Sequence, residues 1–306
     1  MLILPVTRGY LKKKLSKIQA RQSITSEQQL LMLGRLLSES IKSKKHIASL
    51  GEVELKVFSQ FGDDGIIQWL INNLEFPNKT FIEFGVGNYR ESNTRFLMMN
   101  NDWSGLVMDG SESNVAQIIN SEYFWKYELS AKAVWIDTDN INSLLSSSQL
   151  GKEVGILHID LDGNDYWIWK EIKAITPIIV ILEYNSVFGI DRAITVPYHK
   201  AFDRTNAHYS NLYWGASLRS LYQLSADKGY SFVGCNNAGN NAYFVRKDKL
   251  NENVRESSLE NGYALSTFRD SRDREGQLTY LAGNARIEAI RGMPVYNINK
   301  NQIENL

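Results

Sequence analysis

Residues 80–88 read Thr-Phe-Ile-Glu-Phe-Gly-Val-Gly-Asn, a short β-rich apolar run that carries an acid near its end, Glu83, and breaks at once into a Gly-x-Gly turn. The same grammar returns down the chain. Apolar runs at 80–84 (TFIEF), 105–108 (GLVM), 133–136 (AVWI), 155–159 (GILHI) and 178–182 (IIVIL) each end at an acid: Glu83, Asp109, Asp137, Asp160 and Glu183. The acids are 26, 28, 23 and 23 residues apart. A strand, a turn, a covering helix and a return loop together take roughly 30 residues, so the spacing is that of successive βα units. Runs apolar on both faces are expected of parallel strands covered by helices on either side. The reading is an α/β fold with a parallel sheet, and five carboxylates along the edge where such sheets bind ligands.

Beyond Glu183 the rhythm breaks. Residues 185–213 are long, aromatic and aperiodic, and read as an excursion over that edge. A helix with Leu218, Leu221, Tyr222 and Leu224 closes at Gly229, and two further β runs, 230–234 and 242–246, are joined by Cys-Asn-Asn-Ala-Gly-Asn-Asn. That joint has turn formers and no room for a helix, so the sheet is expected to finish in an antiparallel hairpin. Three regions result: a basic helical N-terminal extension over 1–50, the α/β domain over 51–249, and a helical, polar C-terminal appendage over 250–306.

With 306 residues, 43% hydrophobic, and only 5 Pro, the chain has the material for a core and is not a disordered protein. Its 34 basic and 34 acidic side chains cancel, which speaks against a nucleic-acid binder. One cysteine, Cys235, excludes an intrachain disulfide and a Cys-rich zinc site, and the cytoplasm is the expected compartment. The charge is nevertheless uneven: residues 1–50 hold ten basic and two acidic side chains, leaving the remainder at −8. Leu11, Leu15 and Ile18 share one helical face, and Leu30, Leu33, Leu37 and Ile41 another, so two amphipathic helices are expected. They would either touch the inner face of an anionic membrane through residues 8–21, or pack on the domain or a partner copy in a homodimer. Residues 1–6 are apolar but precede their basic residues, the reverse of a signal peptide.

The turn at Gly85 and Gly87 allows close backbone approach to a ligand. A nicotinamide dinucleotide fingerprint would want a glycine where Arg90 stands. Glu83 suits a ligand with a positive amino group, Asp109 is placed for ribose hydroxyls, and Asp137 with Thr138 could bracket an adenine. An adenosine with a cationic amino-acid tail fits all three.

On these residues the chain resembles the class I S-adenosylmethionine-dependent methyltransferases, and among them the FkbM-like bacterial methyltransferases. The resemblance covers roughly residues 57–247 and rests on SQFGDDG at 59–65, FIEFGVGN at 81–88, GLVMDGS at 105–111, HIDLDGNDYWIW at 158–169, ILEYNS at 181–186 and the closing hairpin. It implies a Rossmann-like seven-stranded sheet of order 3-2-1-4-5-7-6 with strand seven antiparallel, and S-adenosylmethionine as cofactor. It carries family roles to Glu83, Gly85 and Gly87 for the methionine part, to Asp109 with Gly110 and Ser111 for the ribose, and to Asp137 with Thr138 for the adenine. Gln60 and Asp64 are carried as ligands near the methionine end. Tyr89 departs from the family's third glycine.

Three readings of residues 158–165 stay open. Asp160, Glu183 and Asn185 could hold Mg²⁺ or another divalent cation, in a layout similar to that of metal-dependent O-methyltransferases. Without metal, Asp160 or Asp162 could be the general base. Residues 162–165 also have the composition of a turn and helix cap. His199 and His208 lie in the aromatic excursion and are alternative bases, and Tyr198, Tyr209, Tyr213 and Trp214 are candidate walls for a sugar or glycan precursor, though each could also anchor the loop on the core. The expected activity is O-methyl transfer to a small-molecule hydroxyl in polysaccharide biosynthesis. The alternatives are a non-catalytic scaffold on the same fold and an NAD-dependent oxidoreductase.

Overall fold

The computed structural model describes the backbone of residues 8–306 and the side chains from Thr25 onward. Residues 1–6, expected not to form a signal peptide, lie outside the described residues, as do the side chains of 8–21 invoked for membrane contact.

Among the described residues ten strands form two sheets: β1 Thr80–Phe84, β2 Ser104–Asp109, β3 Leu129–Ala133, β4 Ile156–Ile159, β5 Ile179–Glu183, β6 Ile194–Thr195, β7 Tyr230–Cys235, β8 Asn241–Arg246, β9 Pro294–Asn297 and β10 Gln302–Asn305. The main sheet has the order β3-β2-β1-β4-β5-β8-β7. β1 to β5 pair in parallel, and β8 runs antiparallel to both β5 and β7. Counting only its own seven strands, this is 3-2-1-4-5-7-6 with the seventh reversed, the Rossmann-like methyltransferase sheet.

Both faces of the sheet are buried, as the all-apolar runs require. Along β1, Phe81 goes to one face, beside Trp69, Leu70 and Val107, and Ile82 to the other, beside Leu106, Leu157 and Trp169. The third strand is a correction. It spans 129–133, not 133–136, and pairs Gly105 with Leu129 through Asp109 with Ala133. An edge strand is half solvated and tolerates Ser130 and Lys132, so apolar content misplaces it. The apolar residues 134–136 instead form a wall above the sheet.

At the N-terminus there is one helix, α1 Arg8–Lys42, not two. Its 35 residues span about 50 Å at 1.5 Å per residue. It packs on α2 Asp63–Asn73 and α3 Arg95–Asn101. Gly34 makes the crossing close: a Cβ there would lie 2.7 Å from Val57 and 3.0 Å from Phe96. No helix among the described residues is long and apolar enough to cross a membrane.

The C-terminal region is also corrected. Within 250–306 only Leu259–Gly262 and Asn284–Ala289 are α-helical, and β9 and β10 join β6 in a three-stranded sheet. Residues 250–280 lack a periodic apolar stripe and run as a polar strap. The aperiodic excursion then finds its core not on the main sheet but against the chain's end: Phe188, Ile194, Val196, Leu212, Tyr213 and Trp214 cluster with Ile290 and Val295.

Candidate active site

A cleft of about 670 Å³ opens at the carboxyl ends of β1, β2 and β4. Its floor is Gly85, Gly87 and Asp160; one wall is residues 108–111 and 134–136, and the other is Phe202, Arg204, Asn211 and Asp270. A smaller cavity of about 490 Å³ adjoins it, sharing Gly85, Gly87 and Asp160 and lined further by Gln60, Asn88, Arg90, His158 and Asn241. A third, of about 580 Å³, lies along the β7 edge near His46, Trp69 and Glu256 and shares no lining residue with the other two.

The two glycines of the turn serve different ends. Gly85, at φ +70°, passes so close to β4 that a Cβ would lie 1.6 Å from the Asp160 carbonyl oxygen. At Gly87, φ +53°, a Cβ would meet nothing within 4 Å, so this backbone faces open space. The Gly87 N–H donates to Asp109 Oδ2 at 2.7 Å, while Oδ1 accepts from Ser111 N and Asn114 Nδ2. Asp109 thus joins the turn after β1 to the start of helix α4 Glu112–Ile119, which Ser111 caps. Gly110 lets the Trp135 ring approach, its nearest carbon 2.9 Å from a built Cβ. Gln60 is exposed on the rim of the smaller cavity. Tyr89, at the third-glycine position, keeps φ +63° and is fully buried, its hydroxyl on Thr94 Oγ1.

Several expected ligands are engaged elsewhere. Glu83 does not present a free carboxylate: it is buried, accepting from Ser92 Oγ, Asn93 N and the Thr94 hydroxyl, with His158 Nδ1 at 2.9 Å. Asp64 faces inward, its Oδ2 accepting the N–H groups of Val57, Phe58 and Ser59 and the Ser59 hydroxyl. Asp137 accepts from Asp139 N and Asn140 N and pairs with Lys200 Nζ at 3.0 Å, and Thr138 donates to the Tyr198 hydroxyl. Neither Asp137 nor Thr138 lines the cleft; Trp135 and Ile136 do. Burial alone would raise the Asp137 carboxyl, but the Lys200 ammonium holds it below the usual range.

The excursion's candidates are likewise corrected. His199 is exposed, His208 bonds Ser210 Oγ and lies against Tyr209, and neither lines the cleft. Tyr198 is tied to Thr138, Tyr209 lies under Arg274, Tyr213 donates to the Pro294 carbonyl, and Trp214 is buried in the third core. Tyr213 and Trp214 anchor the loop, because large rings gain most by burial. Asn185 is occupied too: its Nδ2 donates to the Leu212 and Trp214 carbonyls and its Oδ1 accepts from Val187 N.

Brought together instead are Asp160, Asp162 and Glu183, with one carboxylate oxygen of each within 4.8 Å of the others. Glu183 Oε2 is buried with no hydrogen-bond partner. Burial, then the charge of Asp162, pushes the Asp160 carboxyl up to about 7. Burial, then Asp160, raises Glu183 well above the carboxylate range. Asp162 sits at φ +53°, exposed, with Arg204 Nη1 at 3.2 Å. Arg204 also binds Asp270 at 2.9 Å, donates to the Asn211 carbonyl and stacks on Trp214.

His158 is the buried partner that reading the strand ends passed over. Burial would lower it, but the hydrogen bond and charge of Glu83 outweigh that and raise it. The signal was available, since His158 and Glu83 are register partners on adjacent parallel strands. Arg204 and Asp270, 66 residues apart, gave no local signal.

No family model and no curated protein matches the chain. Among solved structures it is similar to an O-methyltransferase from Bacillus cereus in complex with SAH, at 12% identity over 79% of this chain and 91% of that one, with a TM-score of 0.38. It is also similar to TehB from Haemophilus influenzae (14% identity, 61% and 62% covered, TM-score 0.36) and to an S-adenosylmethionine-dependent methyltransferase from Clostridium acetobutylicum (11%, 60% and 89%, TM-score 0.35). At such values these likenesses carry no weight for chemistry, and the fold rests on the strand order and directions given above.

Proposed function

We propose that the protein transfers a methyl group from S-adenosylmethionine to a hydroxyl oxygen. The observation that carries this reading is a single cleft in which the open Gly87 turn and Asp109 lie on one side of Asp160 and Asp162, and residues 202–205 and Asn211 of the excursion on the other, with the buried Glu183 carboxylate within 4.8 Å of Asp160 and Asp162. The ribose belongs at Asp109, the adenine against Trp135 and Ile136, and the amino-acid tail in the adjoining cavity by Gln60 and Arg90. Methyl transfer is a direct displacement, so the protein's work is to hold donor and acceptor in line, exclude water and take one proton. Asp160, common to both cavities, is the group placed to take it.

The same cluster suits a hard divalent cation. Its donors are carboxylate oxygens, and the unpartnered Glu183 Oε2 is the kind of atom such an ion would satisfy. Asp160, Asp162 and Glu183 would hold Mg²⁺, whose charge lowers the pKa of a hydroxyl bound to it. Asn185 is no longer in that set. For the acceptor, Arg204, Thr205, Asn211 and Asp270 offer polar contacts beside the Phe202 ring, a combination suited to a sugar or glycan precursor. The FkbM-like assignment is our reading of the motifs quoted above.

Calorimetric titration with S-adenosylhomocysteine, with and without Mg²⁺, tests the proposal. We expect micromolar binding, weakened at least about tenfold (1.4 kcal/mol) in Asp109→Ala at a temperature where circular dichroism shows that variant folded, since Asp109 also accepts from Gly87 N and Ser111 N. Silence under every condition would sink the methyltransferase reading. It would leave a scaffold if NAD⁺ is silent too, and an oxidoreductase if NAD⁺ binds.

A further inference from the structure

Among the described residues, helix α1 meets the body through its C-terminal half. Gly34, Ser38 and Ile41 are buried and face the domain. On the side away from them Met32 and Leu36 are 64% and 71% exposed, with Leu33 on the flank at 52%, large apolar side chains that a solvated helix face would not carry. The helix continues back to Arg8, and at 100° per residue Leu11, Leu15 and Ile18 fall in the same register as Leu33 and Leu36. Over that N-terminal half the sequence sets Arg8, Lys12, Lys13, Lys14, Lys17 and Arg21, with no acid before Glu27. Glu27 is itself paired with Arg95 at 2.9 Å, so it does not neutralise them.

We propose that α1 lies in the plane of an anionic phospholipid surface, its leucine stripe in the acyl boundary and its basic residues on the lipid phosphates. An amphipathic helix flanked by Lys and Arg binds in this way, in the interface and not across it. Charge decides between this occupant and a second copy. A parallel pairing of two α1 helices would set six cations against six. An antiparallel one would set them against 29–42, where Arg35 and Lys42 outnumber Glu39. Residues 51–306 carry −8, so an anionic surface repels the body and attracts the helix. The inference does not depend on the methyl-transfer reading.

The test is co-sedimentation of the full chain with vesicles of phosphatidylcholine alone and of phosphatidylcholine containing a quarter phosphatidylglycerol. Binding is expected to the mixed vesicles only and to be reversed by high salt. It should fall at least tenfold both in Lys12→Glu/Lys14→Glu/Lys17→Glu and in Leu33→Glu/Leu36→Glu, the latter with thermal stability unchanged because Leu33 and Leu36 are exposed. No binding to the anionic vesicles, or equal binding to neutral ones, overturns the proposal. So does a solution dimer, seen by light scattering, that Leu33→Glu/Leu36→Glu dissociates.

Discussion

Asp64 and Asp109 are both acids beside a turn, and they do opposite work. Asp109 holds the rim of a cleft, while Asp64 gathers three backbone N–H groups into the core. Asp64→Ala would strand those donors, each unmet buried group costing about 1–3 kcal/mol, so a loss of roughly 3 kcal/mol or more is expected in urea unfolding. Asp64→Asn keeps an acceptor oxygen and should lose clearly less. The Glu83–His158 pair makes a pH prediction. Glu83 is lowered from 4.5 by His158, against the pull of burial, so its contribution is present above that pH and lost on acidification. His158 is raised from 6.5, so its contribution is complete below that value and lost as the pH rises through the raised one. The stability difference between wild type and Glu83→Gln should therefore peak between about pH 4.5 and 6.5 and shrink towards pH 8.

β1, β2 and β4 are held together at their carboxyl ends by the turn after β1, which makes its glycines unequal. Gly85→Ala would drive a methyl into the Asp160 carbonyl and part β1 from β4, so a loss of several kcal/mol, or failure to fold, is expected. Gly87→Ala meets no atom and costs only its left-handed backbone, about 1–2 kcal/mol. Its methyl would stand in the cleft, so S-adenosylhomocysteine titration should weaken more than thermal stability does. The ends of β1 were legible to the residue, because the run between the turn formers at 77–79 and Gly85 is apolar but for Thr80 and Glu83, and stops where glycine begins. Edge strand β3 was not, since a single neighbour and half-solvated faces leave little hydrophobic signal.

The chain's end forms the outer wall of the cleft at one remove. β9 pairs with β6, and Ile290 and Val295, both fully buried, support Phe202, Tyr213 and Trp214 beneath Arg204. Val295→Asp would bury an unpaired charge there. We expect limited proteolysis to cut within 186–214 several-fold faster, while the main sheet keeps its cooperative melt, since that cluster is separate from the two cores on the sheet. The aromatic content of the excursion was legible; its destination was not. Rings bury wherever a surface is offered, and that surface came from residues some 80 positions later.

The main sheet's strand count, direction and reversed seventh strand were written in the order of residues 80–246, because strand burial, βα spacing and hairpin turns are local properties with local signatures. The acids at the strand ends were legible for the same reason. Which of them would meet was not. Asp162 displaced Asn185 from the cluster, Asp137 turned to Lys200, and Glu83 was consumed by His158. Those outcomes depend on side-chain direction and loop path, which arise only when segments far apart in the chain compete for the same buried hydrogen-bond donors.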